Sequence, residues 1–462
     1  MKRLLTLLLL MTVYTASAQY DHAATHTKSL DQVLREISER FSTRLRVQVD
    51  TVGLVVPHAD SYIRPYSLEE SLENVLQLFR YKYVKQSARV YKIKPYEPHY
   101  RTPEEGRKHI DYLAATYHTT KADSERRMAE LREVIGGHIT ARCDALAALM
   151  VEGAELEVGK KRTFEGYTVE NFSIETLPGL YLCGSIYRPA KKLKRGEKLP
   201  LILSPDGHTP RYIAETQLRL ATWARMGAVA VGFDLVGYGE SELQLGAKTH
   251  HSLLAQELQW ANCRLLLDKM LEMKEIDPTR IGLCGASGGG TQTMQMGLDS
   301  RFTATCPVIS LSSYFDGGCP CESAFLLPTL AESCNAELAA AHAPRPLGVV
   351  SDGKDWTAHV PEIEGPFLRT IYRLQGKESE LRFYHYPDEG HDFGVNKRTA
   401  VYDFFAACFG LDKGQIDEEK VVIESPEALK LFGAEGEKLP AKAVRSIEEL
   451  PRYAAERAVS LR

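Results

Sequence analysis

Three absences narrow what this 462-residue chain can be. It has no excess of positive charge: 57 Lys and Arg stand against 61 Asp and Glu, for a formal charge of −4. No basic block interleaves with aromatics either, so nothing asks for nucleic acid. It has no apolar run near the ~20 residues that a spanning helix needs, so no stable membrane insertion is expected. It has no CxxC pair with a nearby His. That places a zinc site at Cys319-Pro320-Cys321 with Cys334 behind a disulfide or plain buried thiols. The nine cysteines are an odd number scattered over a large chain, unlike a small disulfide scaffold. With 44% hydrophobic and 26% charged residues the composition is that of a soluble globular protein. The length asks for at least two folded units, one of them large enough for an enzyme.

Lys2 and Arg3, an apolar run from Leu4 to Met11, and Ala16-Ser17-Ala18 before Gln19 predict a signal peptide over 1–18 and a periplasmic or secreted protein. No Cys directly follows the apolar run, which argues against a lipid anchor. Residues 26–97 read as a small α+β unit. Ser29-Leu30-Asp31-Gln32 and Ser67-Leu68-Glu69-Glu70 are capping-box patterns, and each opens an amphipathic run. Leu45, Val47 and Val49, then Val90 and Ile93, alternate as short strands do. This order of helix, strands, helix and hairpin resembles the STN-like domain at the N-terminus of exported bacterial proteins. No chemistry is visible in it, so a docking or spacer role is expected, with possible protein partners. Pro95, Pro98 and Pro103 mark a linker. The segment 98–150 continues as a helical preface, broken at Gly136-Gly137.

From 151 to 435 strands alternate with helices, which predicts an α/β-hydrolase fold with a mostly parallel eight-stranded sheet. The strands are expected at 167–174, 181–187, 199–204, 228–233, 280–284, 304–309, 347–350 and 381–386, the first two as antiparallel edge strands. Helices are expected at 214–226, 253–273, 290–298, 363–374 and 400–409. Residues 436–462 read as a charged tail, with Leu429, Leu431 and Phe432 docking the segment before it.

Gly285-Ala286-Ser287-Gly288-Gly289 follows an apolar strand and precedes a helix, the setting of a G-x-S-x-G nucleophile elbow. Small neighbours are needed because a side chain there would collide with the adjacent strand or helix. Serine needs a positioned base, and His391 lies in the loop between the last strand and the last helix, where this fold supplies one. The acid should follow the 347–350 strand. Asp352 and Asp355 both do, and Asp355 is preferred because Gly353 allows the turn before it, leaving Asp352 to cap that turn. The oxyanion donors are assigned to the amides of Gly288 and His208, since Pro205 has no N–H to offer. No cofactor and no metal is called for. Arg211, Trp356 and the 317–322 loop are cleft candidates. A single Arg is more often solvent-exposed, and pairing of Arg211 with a uronate carboxylate is the functional alternative.

Arg280–Gly289, Phe233–Ser241, Lys354-Asp355-Trp356-Thr357 and Glu389-Gly390-His391-Asp392 together resemble the acetyl xylan esterase-like carbohydrate esterases of exported polysaccharide-degrading systems. The resemblance implies an esterified plant cell-wall polysaccharide as substrate, acetylated like xylan or methyl-esterified like pectin, and a triad on Ser287, Asp355 and His391. The Arg-Gly-Gln of the cephalosporin deacetylase branch is missing. An α/β-hydrolase peptidase is the alternative, but those related to acylaminoacyl peptidases carry a β-propeller, and no propeller repeats precede Val151. A phosphate-loop reading of Gly348 to Lys354 fails at Asp355, where Ser or Thr should hold magnesium. A catalytically inactive binding module is the third reading, and the intact Ser287, Asp355 and His391 argue against it.

Overall fold

The computed structural model describes residues 27–49, 51–56, 59–79, 81–95, 101–315, 317, 322 and 331–457. The expected signal peptide, Pro98, Cys319 and Cys321 lie outside them. Among the described residues no helix is long and apolar enough to cross a membrane. The chain divides into two compact units, one ending at Glu97 and one running from Pro98 to Ser460.

In the first unit a short strand β1 (Lys28–Ser29) leads into helix α1 (Leu30–Arg40). Ser29 caps the helix in a full capping box with Gln32, as the sequence pattern predicts. Then come β2 (Arg44–Val47), β3 (Val55–Val56), α2 (Leu68–Leu76) and a hairpin of β4 (Tyr81–Ser87) and β5 (Val90–Pro95). Strand β5 sits between β2 and β4. Leu30, Val33, Leu34 and Ile37 of α1 pack with Leu72, Val75, Tyr91 and Ile93 into a core belonging to this unit alone.

The second unit opens on three helices, α3 (Pro103–Tyr117), α4 (Lys121–Leu131) and α5 (Gly137–Ala147). Pro103 takes the first position of α3, behind a Thr102–Glu105 capping box, where its missing N–H costs nothing. The expected break at Gly136-Gly137 does not occur. Both glycines hold helical angles, and one π turn over Arg132–Gly136 joins α4 to α5. Burial of Ile135, Ile139, Cys143 and Leu146 in the enzyme core overrides glycine's freedom. The interruption falls instead at 118–120. There buried His118 meets Glu337 at 3.0 Å, and Arg127 meets the same carboxylate at 2.9 Å. Burial alone would raise the Glu337 carboxyl, but hydrogen bonds from His118 and Arg127 outweigh it and hold it below its ordinary value. Its stabilising contribution is therefore present above about pH 4 and lost as the pH falls through the depressed pKa. Glu337→Gln is expected to cost about 3 kcal/mol at pH 7, because it removes the buried partner of Arg127 and leaves that guanidinium only the half-exposed Glu130 at 3.3 Å. Melting curves of the two proteins should converge as the pH falls below the depressed pKa of Glu337.

All eight expected strands are present: β8 (Tyr167–Glu175), β9 (Tyr181–Pro189), β10 (Leu199–Pro205), β11 (Val229–Phe233), β12 (Ile276–Ala286), β13 (Ala304–Val308), β14 (Leu347–Asp352) and β15 (Leu381–Tyr386). Two short strands, β6 (Leu156–Val158) and β7 (Arg162–Phe164), pair with β8 and bring the sheet to ten. The order is β15-β14-β13-β12-β10-β11-β9-β8-β6, parallel from β15 to β11 and antiparallel beyond. Helices α6 (Ala214–Met226), α7 (Leu253–Leu271), α8 (Gly288–Met296), α9 (Asn335–Ala340), α10 (Glu364–Leu374) and α11 (Val395–Phe409) fill the connections, with cores on both faces of the sheet. This is the α/β-hydrolase fold. In the tail, Leu439, Val444, Leu450 and Ala454 are buried.

Candidate active site

The site lies at the C-terminal ends of the parallel strands, where helix and strand meet at the centre of the sheet. Strand β12 ends at Ala286 and α8 begins at Gly288, so Ser287 alone makes the turn, with φ 54 and ψ −121. A side-chain-bearing residue in that region stores of order 1–3 kcal/mol of strain, which the fold supports only where something else requires it. The surrounding glycines are obligatory for contact reasons. A Cβ on Gly285 or Gly289 would run into the Pro205 carbonyl oxygen at the end of β10, and one on Gly290 into Ser310. The elbow is thus pressed against both neighbouring strands.

Ser287 Oγ lies 3.0 Å from His391 Nε2, and His391 Nδ1 lies 2.6 Å from Asp355 Oδ2. The imidazole is one-third exposed while the Asp355 carboxylate is almost fully buried. The other Asp355 oxygen accepts the amide and hydroxyl of Thr357, each at 2.6 Å. Burial works to raise the Asp355 carboxyl, and the hydrogen bonds from His391 and Thr357 more than reverse it, holding the group ionised. Oγ can pass its proton to Nε2, and the imidazolium so formed faces a carboxylate already fixed in place.

Asp352 is separated from the imidazole by its own partners. It accepts the Lys354 amide at 3.1 Å, consistent with a turn cap, and also pairs with the fully buried Lys397 at 3.2 Å. Burial, and then the charge of Asp355, raise its carboxyl above the ordinary value.

Lys397 went unnoticed in the sequence, where a lysine in the first turns of a helix carries no signal. Its ammonium also donates to the Gly390 carbonyl and reaches Asp392 at 3.1 Å and Glu389 at 3.5 Å. It therefore ties the loop carrying His391 to the end of β14. Lys397→Met is expected to lower kcat by about 10–100-fold, the usual cost of a small misplacement of a catalytic group. KM should stay within about twofold, because substrate contacts are left in place. An unchanged kcat in the folded variant would assign Lys397 to stability alone.

The two residues assigned as oxyanion donors also come together. A methyl group at Gly288 would stand 3.4 Å from the His208 ring and 3.4 Å from Glu322. His208 Nε2 lies 4.0 Å from the Glu322 carboxylate. Trp356, a cleft candidate from its position beside Asp355, packs its ring 4.3 Å from that of His391. Phe315 also stacks on Trp356, with ring centroids 4.3 Å apart. In front of Ser287 opens a cavity of about 420 Å³ lined by Asp206, His208, Ile213, Arg219, Ile309 and Phe393 among others. Asp206 is fully buried there, and burial pushes its carboxyl up to about 7 in spite of Arg219 nearby.

Arg211 is neither exposed nor open to a uronate, contrary to both sequence readings. It is buried, paired with Asp234 and at 2.6 Å with Glu240, and it donates to the Leu429 carbonyl. Glu240 in turn accepts the amides of Leu431 and Phe432. Cys183, Asp234 and Glu240 stand close enough to share a cation, and the Arg211 guanidinium lies against both carboxylates. The Phe233–Ser241 segment thus anchors the chain after Leu429 to the enzyme core.

No protein-family model and no curated protein matches the chain. Among solved structures, the methylesterase BT1017 is 48% identical, with a TM-score of 0.73, covering 94% of this chain and 97% of that one. An acetyl xylan esterase from Paenibacillus sp. R4 is 16% identical (TM-score 0.40, 60% of this chain and 94% of that one). A glucuronoyl esterase from Solibacter usitatus is 15% identical (TM-score 0.41, 57% and 91%). The fold, together with an esterase at nearly half identity over the whole length, makes this a carboxylesterase of the α/β-hydrolase class. Within that class the chain belongs to the family of the methylesterase BT1017.

Proposed function

We propose that the protein is an exported carbohydrate esterase that removes methyl groups from esterified uronic acids in pectin-type cell-wall polymers. Ser287 Oγ attacks the ester carbonyl while His391 Nε2 takes its proton. The amides of Gly288 and His208 hold the oxyanion, and methanol leaves with the proton from His391. The sugar carboxyl is then esterified to Ser287. Water, deprotonated by His391, releases it as the uronate. The observation that carries this reading is the hydrogen-bonded series Ser287, His391 and Asp355 at the mouth of a cavity of about 420 Å³.

The choice of methyl over acetyl esters is supported by the 48% identical relative that is named a methylesterase. In both esters the sugar is bonded to the ester group that Ser287 attacks, as the acyl part in one and as the leaving group in the other, and a cavity of about 420 Å³ is large enough for either. The test is to incubate the purified protein with methyl-esterified pectin and with acetylated xylan, assaying methanol and acetate. Methanol from pectin is expected. Acetate alone would reverse the assignment, and release of neither would remove the polysaccharide reading.

A further inference from the structure

The three strands of the N-terminal sheet contain six basic residues, Arg44, Arg46, Lys82, Lys85, Lys92 and Lys94, and no acidic one. Strand alternation sorts them. Leu45, Tyr83, Tyr91 and Ile93 turn inward onto the core, and Lys85 on that side pairs with Glu69 at 2.9 Å. The outward set is Arg44 and Arg46 on β2, Lys92 and Lys94 on β5, and Lys82 on β4. Register sets like charges directly opposite each other, Arg46 against Lys92 and Lys82 against Lys94. Such pairs are destabilising, and the three strands themselves hold no acidic residue to offset the pair of Arg46 and Lys92. Arg44, Arg46 and Lys92 make no ion pair with any described residue, and Arg46 donates only to Gln86. The cations form a grid spaced about 6.6 Å along the strands and about 4.8 Å across them.

We propose that this face binds an anionic polysaccharide, the de-esterified polyuronate that the catalytic unit leaves behind. The choice of polymer rests on the function proposed above; the charge of the face does not. A chain of regularly spaced carboxylates matches the grid in sign, and it relieves the repulsion between Arg46 and Lys92. The face does not suit single-stranded nucleic acid, because Tyr83 and Tyr91 point into the core and none of the outward positions on the three described strands is aromatic for bases to stack on. It does not suit insertion into a bilayer either, since Val84 and Val90 are its only apolar members.

The test is affinity electrophoresis of the full chain through gels containing polygalacturonate, fully methyl-esterified pectin or neutral xylan. Retardation is expected in polygalacturonate alone, and it should vanish as ionic strength rises from about 0.05 to about 0.5 M. The triple variant Arg44→Gln, Arg46→Gln, Lys92→Gln should bind at least tenfold more weakly, roughly 1.4 kcal/mol. Its turnover of a small chromogenic ester should not change. The charge-conserving variant Arg44→Lys, Arg46→Lys, Lys92→Arg should bind like the parent, which separates charge from folding. Equal retardation of parent and triple variant, equal retardation in neutral xylan, or tighter binding to phosphatidylserine vesicles or to oligo-dT than to polygalacturonate would each overturn the proposal. Methanol release is assayed separately, so either reading can fail while the other stands.

Discussion

Ser287→Ala is expected to reduce kcat on a methyl-esterified substrate by roughly five to six orders of magnitude, with the protein still folded. The magnitude follows from what is removed. Among the described residues no other nucleophile hydrogen-bonds to His391 Nε2, so what remains is catalysis by the oxyanion donors and by binding alone. The fold should survive because the Ser287 hydroxyl bonds to His391 and holds no core contact together. His391→Ala should behave alike, and the double variant should be hardly worse than either single one, since the two act as a unit. Initial rates and circular dichroism on the same preparations decide the matter. More than a few per cent activity in a folded Ser287→Ala protein would place the nucleophile elsewhere.

The second large effect separates the two aspartates. Asp355→Asn should lower kcat by about 10⁴-fold with little change in KM, because an amide facing His391 Nδ1 favours the wrong tautomer and cannot stabilise the imidazolium. Asp352→Asn should keep activity within about tenfold of the parent. It retains an oxygen for the Lys354 amide but removes one of the charges around Lys397, at about 3 kcal/mol of stability. That loss is larger than a turn cap alone would give, typically ~1 kcal/mol. Measuring kcat and Tm for both variants distinguishes them. An inactive Asp352→Asn beside an active Asp355→Asn would transfer the acid.

What was legible in the sequence was whatever local physics dictates. The elbow could be read because only glycines fit against Pro205 and Ser310, and that demand is written as G-x-S-x-G. Helix α6 matches its expected bounds, and the strands match theirs within a few residues, because buried parallel strands are continuous apolar runs. Strands β6 and β7, three residues each, are too short to show alternation. Helix α9 is a six-residue, Ala-rich piece with no room for a period. Gly136-Gly137 misled because the core contacts that keep it helical come from elsewhere in the chain. Arg211 and Lys397 were illegible for the same reason. The partners of Arg211 lie at Asp234, Glu240 and Leu429, and only the fold brings those positions together. The His391, Asp355 and Ser287 side chains are just as far apart in sequence, yet a fixed chain order in this fold made them findable.

The placement of these groups along the sheet also sets the order in which the site comes apart. Strand β12, which leads into Ser287, is hydrogen-bonded on both sides, to β10 and β13. Strand β15, which delivers the chain to His391, pairs with β14 alone and is only partly buried. Local opening free energies are lowest where backbone bonds are few and exposed, so amide exchange should be fast in β15 and slow in β12. Mild heating would then release the base while leaving the serine turn intact, and activity would fade reversibly below the temperature at which the sheet melts. Thermal robustness in this enzyme is decided at the rim of its sheet, not at its centre.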